Sequence, residues 1–317
     1  MKVIEHLDRA KTPLFSYEIV PPPRGRTVKD ITEIVKAIEK FNPPWIDVTA
    51  HSAGASYNER PDGTIERKIS KKRPGTIGIC GIIQNRFKID TVTHILCNGF
   101  TREETEDALI ELNYLGIENV LALRGDGLNY NKKIAKDRSV NVYASDLVEQ
   151  IHDLKHGRFL DKLSNSEPLE FCIGVAGYPE KHFEAPNLKH DISYLKLKQD
   201  KGAEYVVTQM FFDNNHYFNY VKACREAGIT IPIIPGIKIL KNAKQLKTIP
   251  RNFYINFPDE LVEEVLKNPE HVEQIGINWS INQVQGLLEA GAPCVHFYIM
   301  NDTESVVKVV DKFYRQV

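Results

Sequence analysis

Tyr114-Leu-Gly116-Ile-Glu-Asn-Val120 is the stretch that decides the fold. A helical pattern closes on a glycine, and the chain runs straight on into an apolar strand. Glycine suits the left-handed position just past a helix, because it has no Cβ to clash there. The same junction recurs at Asp200-Lys-Gly202-Ala-Glu-Tyr-Val206, at Glu226-Ala-Gly228-Ile-Thr-Ile-Pro232 and at Glu289-Ala-Gly291-Ala-Pro-Cys-Val295. Each strand that follows is short and almost continuously apolar, as a strand covered on both faces of a parallel sheet must be. Working outward gives eight such strands, over Leu14–Val20, Trp45–Ala50, Val92–Cys97, Asn119–Leu123, Phe171–Ala176, Tyr205–Phe211, Ile231–Pro235 and Cys294–Met300. Helical patterns fill the gaps. Thr101-Arg-Glu-Glu104 is a capping box opening a helix that runs to Gly116, and Ile31, Ile34, Val35 and Ile38 recur at helical spacing between Val28 and Lys40. Eight strands alternating with helices argue for an α/β fold of the (β/α)8 TIM-barrel type, with an open doubly wound sheet as the alternative.

The chain has 317 residues, which a length prior alone could divide in two, but α/β barrels of this size form one unit. No linker or low-complexity segment interrupts it, so one catalytic barrel over residues 1–317 is expected. A hydrophobic content of 42% and a charged content of 26% are ordinary for a soluble enzyme, and a net charge of −1 supplies no field for nucleic acid or anionic lipid. The cysteines, Cys80, Cys97, Cys172, Cys224 and Cys294, form no C-x-x-C pair and lie mostly in apolar stretches, which reads as reduced core thiols of a cytoplasmic protein. The N-terminus lacks a signal-peptide core, and no stretch is apolar enough to span a membrane. No G-x-G-x-x-G follows the first strand; Gly75, Gly78 and Gly81 fall inside a helical pattern, where close helix packing explains them. Motifs for metal hydrolysis, a phosphate-binding Walker loop and a serine-esterase elbow are absent from the sequence.

In a barrel the chemistry sits at the C-terminal ends of the strands. Strand one carries Glu18 in Phe15-Ser-Tyr-Glu18-Ile-Val-Pro-Pro-Pro23. Burial there would raise its pKa and suit a general acid, the alternative being a structural ion pair. Strand four leads into Arg124-Gly125-Asp126-Gly127, an Arg suited to phosphate and an Asp suited to a ring N–H, or else a structural Arg–Asp pair. Gln209 would face the lumen from strand six, where it needs a hydrogen-bonding partner such as an amide edge. His296 on strand eight reads equally as core or as functional.

Taken together these segments resemble the catalytic domain of methylenetetrahydrofolate reductases. The resemblance rests on Phe15-Ser-Tyr-Glu-Ile-Val-Pro-Pro22, Asp47-Val-Thr49, Thr93-His-Ile-Leu-Cys97, Leu121-Ala-Leu-Arg-Gly-Asp126 and Tyr143-Ala-Ser-Asp-Leu147. It continues through Val175-Ala-Gly-Tyr-Pro-Glu-Lys-His182, Thr208-Gln-Met-Phe-Phe-Asp213, Ile233-Ile-Pro-Gly-Ile237 and His296-Phe-Tyr298, in family order along nearly the whole chain.

The resemblance implies non-covalent FAD at the barrel mouth, NADH or NADPH as electron donor and 5,10-methylenetetrahydrofolate as substrate, with hydride passing through the flavin in a ping-pong sequence. It implies Glu18 as the acid that opens the folate imidazolidine ring and Asp126 as a second catalytic carboxylate. The flavin would meet Thr49, His94, Arg124, Gly125, Asp126, Tyr143, Ala144, Tyr178, His182, Ala185, Asp191 and Lys198. The substrates would meet Thr49, Asp126, Gln209, Gln245 and Tyr298. A homo-oligomer without metal and without a regulatory extension is expected. Two departures stand out. Asp302 occupies a position where relatives often have Arg, and Tyr194 and Leu197 replace polar flavin contacts of some relatives. Two other readings compete: a barrel binding folate for methyl transfer without flavin, and a flavin barrel oxidising another small substrate.

Overall fold

A computed structural model describes residues 1–71, 73–130, 132–300 and 302–314. The chain begins with α1 (Val3–Arg9), then β1 (Leu14–Ile19), α2 (Val28–Glu39), β2 (Trp45–Val48), a hairpin of β3 (Gly54–Glu59) and β4 (Ile65–Ser70), and α3 (Thr76–Phe87). It continues with β5 (Asp90–Leu96), α4 (Arg102–Tyr114), β6 (Asn119–Leu123), α5 (Ala144–Leu154), β7 (Cys172–Gly177), α6 (Leu188–Asp200), β8 (Tyr205–Met210) and α7 (Asn214–Glu226). Then come β9 (Ile233–Ile237), α8 (Gln245–Phe253), α9 (Asp259–Lys267), α10 (Val272–Glu289), β10 (Cys294–Met300) and α11 (Thr303–Tyr314). Eight strands close into a barrel in the order β1-β10-β9-β8-β7-β6-β5-β2, every neighbouring pair parallel. The open doubly wound alternative is excluded.

The glycine junctions explain the repeat. Gly116, Gly202, Gly228 and Gly291 all adopt positive φ just past a helix, where a side chain would be strained. Side chains then alternate along each strand. Phe15, Tyr17, Ile19, Ile46 and Val48 point outward into the layer shared with the helices. Trp45, Val92, Leu121, Cys172, Tyr205, Ile234 and Cys294 fill the lumen, plugged from below by Val3 of α1. A parallel strand thus buries both faces, and period-two polarity is visible only near the mouth. The five cysteines are buried and unpaired, and no helix among the described residues is long and apolar enough to cross a membrane.

Several elements depart from the expectations. The β3–β4 hairpin was not anticipated: its strands are mostly exposed and polar, so they carry no burial signal. The crossover from β9 to β10 holds three helices, and α8 and α9 build a small separate core with Leu240, Ile249, Leu261, Val265 and Trp279 beside the mouth. Close packing accounts for Gly81, whose added Cβ would meet Leu115 at 3.4 Å, but not for Gly75 or Gly78, which face open space. Gly75 instead caps α3.

Candidate active site

The inward residues at the tops of the strands enclose a cavity of about 1000 Å³. Its wall includes Glu18, Thr49, His94, Arg124, Gly125, Asp126, Tyr178, His182, Gln209, Gln245 and Tyr298, all singled out from sequence. Tyr143, Ala144, Ala185, Asp191 and Lys198 lie outside that wall. Tyr143 is exposed at the cap of α5. Asp191 accepts a hydrogen bond from the His182 backbone N–H at 3.0 Å, and Lys198 donates to the Ala176 carbonyl at 2.8 Å. Burial lowers the Lys198 pKa to about 8 against the attraction of Asp191. Tyr194 and Leu197 are exposed on α6. Asn301 falls outside the described residues.

Glu18 sits at the floor, its side chain 13% exposed. In register it lies between Asp47 of β2 and Tyr298 of β10. The β1–β10 register shifts just after Glu18, where Met300 takes a positive φ, so the ladder is interrupted at this carboxyl. Burial raises the Glu18 pKa to about 7; His94 and Lys238 pull it down and Asp47 pushes it up. His94 Nε2 lies 3.6 Å from Glu18 Oε2 and 3.4 Å from Asp47 Oδ2. Burial disfavours the imidazolium, but the two carboxylates outweigh it and hold the His94 pKa above the ordinary value. Asp47 is fully buried, and neither of its oxygens has a hydrogen-bond partner among the described residues. His296 is a core residue: it shares a 2.9 Å hydrogen bond with Ser16, and burial drives its pKa down to about 4.

The Arg124-Gly125-Asp126 loop is built from its neighbour. The Asn98 side-chain amide donates to the carbonyls of Gly125 and Asp126 at 2.9 and 3.1 Å. Gly125 has φ +78°, and a Cβ there would meet Leu96 at 3.4 Å, so glycine both permits the turn and lets backbone approach the cavity. The structural Arg–Asp pair considered from sequence is absent. Arg124 instead donates one hydrogen bond to Glu184 at 2.8 Å and makes a second ion-pair contact with it at 2.7 Å, leaving Asp126 exposed on the rim. The Gln209 side-chain amide oxygen accepts from the Met210 backbone N–H at 3.0 Å beside a register shift in β8. The Gln245 side-chain amide oxygen accepts from the Lys241 backbone N–H at 2.6 Å, while Thr49 Oγ1 is buried without a partner among the described residues. Tyr298 O–H donates to the Thr208 carbonyl at 2.5 Å, passing over Gly236, where a Cβ would sit 2.6 Å from the Tyr298 ring.

Sequence reasoning missed Asn98, Lys238 and Lys241. Lys238 lines the cavity and donates to the Tyr298 carbonyl at 2.9 Å. Lys241 pairs with Asp302 at 2.9 Å, so the anomalous aspartate at this position has its own cation. Counting inward from Ile234 in steps of two reaches Gly236 and Lys238, a signal present in the sequence once the strand's phase is known.

The match to known families decides what this arrangement is. The family model described as methylenetetrahydrofolate reductase matches residues 2–313. The chain belongs to the methylenetetrahydrofolate reductase family. It is 32% identical over 316 residues to methylenetetrahydrofolate reductase 1 of Schizosaccharomyces pombe, covering 97% of this chain and 47% of that protein. It is 31% identical to the 5,10-methylenetetrahydrofolate reductase of Buchnera aphidicola, covering 91% of this chain and 87% of that protein. The chain spans about half the length of the first curated relatives it matches. Among solved structures, an uncharacterized protein from Clostridium thermocellum that binds two copies of 5-methyl-5,6,7,8-tetrahydrofolic acid shares the fold, with a TM-score of 0.61 at 14% identity over 99% of both chains.

Proposed function

We propose that this protein reduces 5,10-methylenetetrahydrofolate to 5-methyltetrahydrofolate with NADH or NADPH, through a non-covalently bound FAD. The observation that carries the reading is Glu18. It is a carboxyl held near pKa 7 at the floor of a large cavity, on a chain of this family. Such a group is protonated often enough to donate at neutral pH and acidic enough to let go.

The residues present fit a flavin. Thr49 offers a buried hydroxyl without a partner among the described residues, and Gly125 brings backbone to the cavity in a left-handed conformation that strains a side chain. Thr49, His94, Gly125, Asp126, Tyr178 and His182 would hold the ring system from the cavity wall. Arg124, Tyr143, Ala144, Ala185, Asp191 and Lys198 would serve its outer parts, with Arg124 shared between Glu184 and a phosphate. When bound, the flavin supplies the chemistry of accepting a hydride from a nicotinamide and giving it to a carbon.

The protein's own part is the proton. Glu18 delivers it to a nitrogen of the folate imidazolidine ring, the C–N bond opens, and the exocyclic carbon becomes an electrophilic iminium. The exposed Asp126 carboxylate on the rim favours that positive charge. Gln209, Gln245 and Tyr298 line the wall on the other side and orient the ligand, their inward placement set by β8, α8 and β10. Overall one hydride and one proton are consumed for each methylene group reduced.

The test is spectroscopic. Purified protein reconstituted with excess FAD should keep a yellow cofactor through gel filtration and release it on denaturation. Anaerobic NADH or NADPH should bleach it, and 5,10-methylenetetrahydrofolate should restore the colour. Colourless protein refutes the flavin and favours a methyl-transfer barrel; colour that another small substrate bleaches, and folate never restores, favours the second alternative.

A further inference from the structure

Across the top of the barrel, four inward residues form one row on adjacent strands. Asp47 of β2 is the register partner of Glu18 on β1, and Glu18 that of Tyr298 on β10. Lys238 lies one residue past the Phe297–Ile237 pair of β10 and β9 and donates to the Tyr298 carbonyl. Glu18 and Lys238 are therefore two strands apart in the same layer, both facing the same cavity. Lys238 has no carboxylate within ion-pair distance among the described residues. The nearby acid, Asp302, is paired with Lys241. A lysine ammonium enclosed this way is costly unless something in the cavity uses its charge.

We propose that Lys238 is a positioning residue for Glu18: its ammonium offsets the negative charge that Glu18 acquires as it gives up its proton, and so sets the strength of that acid. The proposal rests on the reading of Glu18 as the proton donor. In the step itself the proton leaves the Glu18 carboxyl for a ligand nitrogen, the electron pair stays on the carboxylate, and Lys238 keeps its own protons throughout. The effect of Lys238 on Glu18 has the required sign. Glu18 is faced by His94 from β5, Asp47 from β2, Tyr298 from β10 and Lys238 after β9. Burial and Asp47 push its acidity down; His94 and Lys238 act the other way. Reciprocally, burial brings the Lys238 pKa down to about 8, opposed by Asp302 and Glu18 and assisted by Lys241. His94 is shared with Asp47, whereas Lys238 has only Glu18 and the already paired Asp302.

Two measurements test this, one of them without turnover. In ligand-free protein, a nitrogen NMR titration of the lysine ammonium groups, with Lys238 assigned through Lys238→Arg, should place Lys238 below the ordinary lysine range. Glu18→Gln should lower it further. In the folate half-reaction, Lys238→Met should move the alkaline limb of the pH profile up by about one pH unit and slow the plateau several-fold, because the acid becomes weaker. Lys238→Arg should keep the wild-type limb, and the displacement of the limb should be confined to the folate half-reaction, the one that uses the Glu18 proton. A Lys238 titration indifferent to Glu18→Gln, or a Lys238→Met limb that stays or moves down, overturns the proposal. A change confined to KM makes Lys238 a ligand contact instead. If the NMR coupling appears but wild-type protein never reduces folate, the charge pair stands and the functional reading fails.

Discussion

Replacing Glu18 with Gln should slow folate reduction by ~10²–10⁴-fold and, above neutral pH, make the protein more stable. The Glu18 pKa lies at about 7 rather than the ordinary 4.5, chiefly through burial. The folded state therefore holds a proton that the unfolded chain has already released. Stability consequently falls as pH rises from about 4.5 to about 7 and is flat beyond. The interval corresponds to roughly 3 kcal/mol. Gln keeps the shape and has no charge to bury. Glu18→Gln and wild type should then melt alike near pH 4.5, while at pH 8 the variant should melt about 5 °C or more higher. Stopped-flow assays complete the test. Nicotinamide-driven flavin bleaching should persist, and the folate half-reaction should lose ~10²–10⁴-fold. Identical melting curves for the two proteins from pH 5 to 8 would refute the raised pKa. Equal losses in both half-reactions would make Glu18 structural.

Asp126→Asn removes a rim carboxylate with little change of size. Folate reduction should slow while the flavin midpoint potential rises, because both effects come from the lost negative charge; a slower folate step with an unchanged or lower potential would leave Asp126 as a purely positional contact. Gly276→Ala tests the support of the mouth: a Cβ there would fall 1.9 Å from the Leu240 carbonyl oxygen, in the segment that carries Lys238 and Lys241. The variant should lose about 2–3 kcal/mol in denaturant unfolding, and an unchanged midpoint would show that α10 does not brace this loop.

Much of the architecture was legible because it is local. A helix that ends on a left-handed glycine and passes into an apolar strand is a short-range event, and its recurrence at Gly116, Gly202, Gly228 and Gly291 announced the alternation. The capping box at Thr101 and Glu104 appears in the structure with both of its hydrogen bonds. What was not legible had no burial signal or depended on phase. The β3–β4 hairpin is solvent-exposed, so nothing in its composition separates it from a loop. Lys238 stands in a run of apolar residues that looks uniform until the barrel assigns alternate positions to lumen and outer layer.

The roles of charged groups lay further out of reach. Arg124 and Asp126 are neighbours in sequence, yet the partner of Arg124 is Glu184, brought in by the loop after β7. Asp47 and His94 are separated along the chain and meet only because β2 pairs with β5 in the closed sheet. By itself the sequence determined the repeating helix–strand unit, the end of the barrel at which the polar residues gather and the carboxyl that stands inside its first apolar strand, since each depends on residues within a few positions of one another. Only the tertiary structure decided which charges face each other. Closure into a ring places Asp47, Glu18, Tyr298 and Lys238 side by side, and the energy of a charge depends on distance and burial, which sequence separation does not encode.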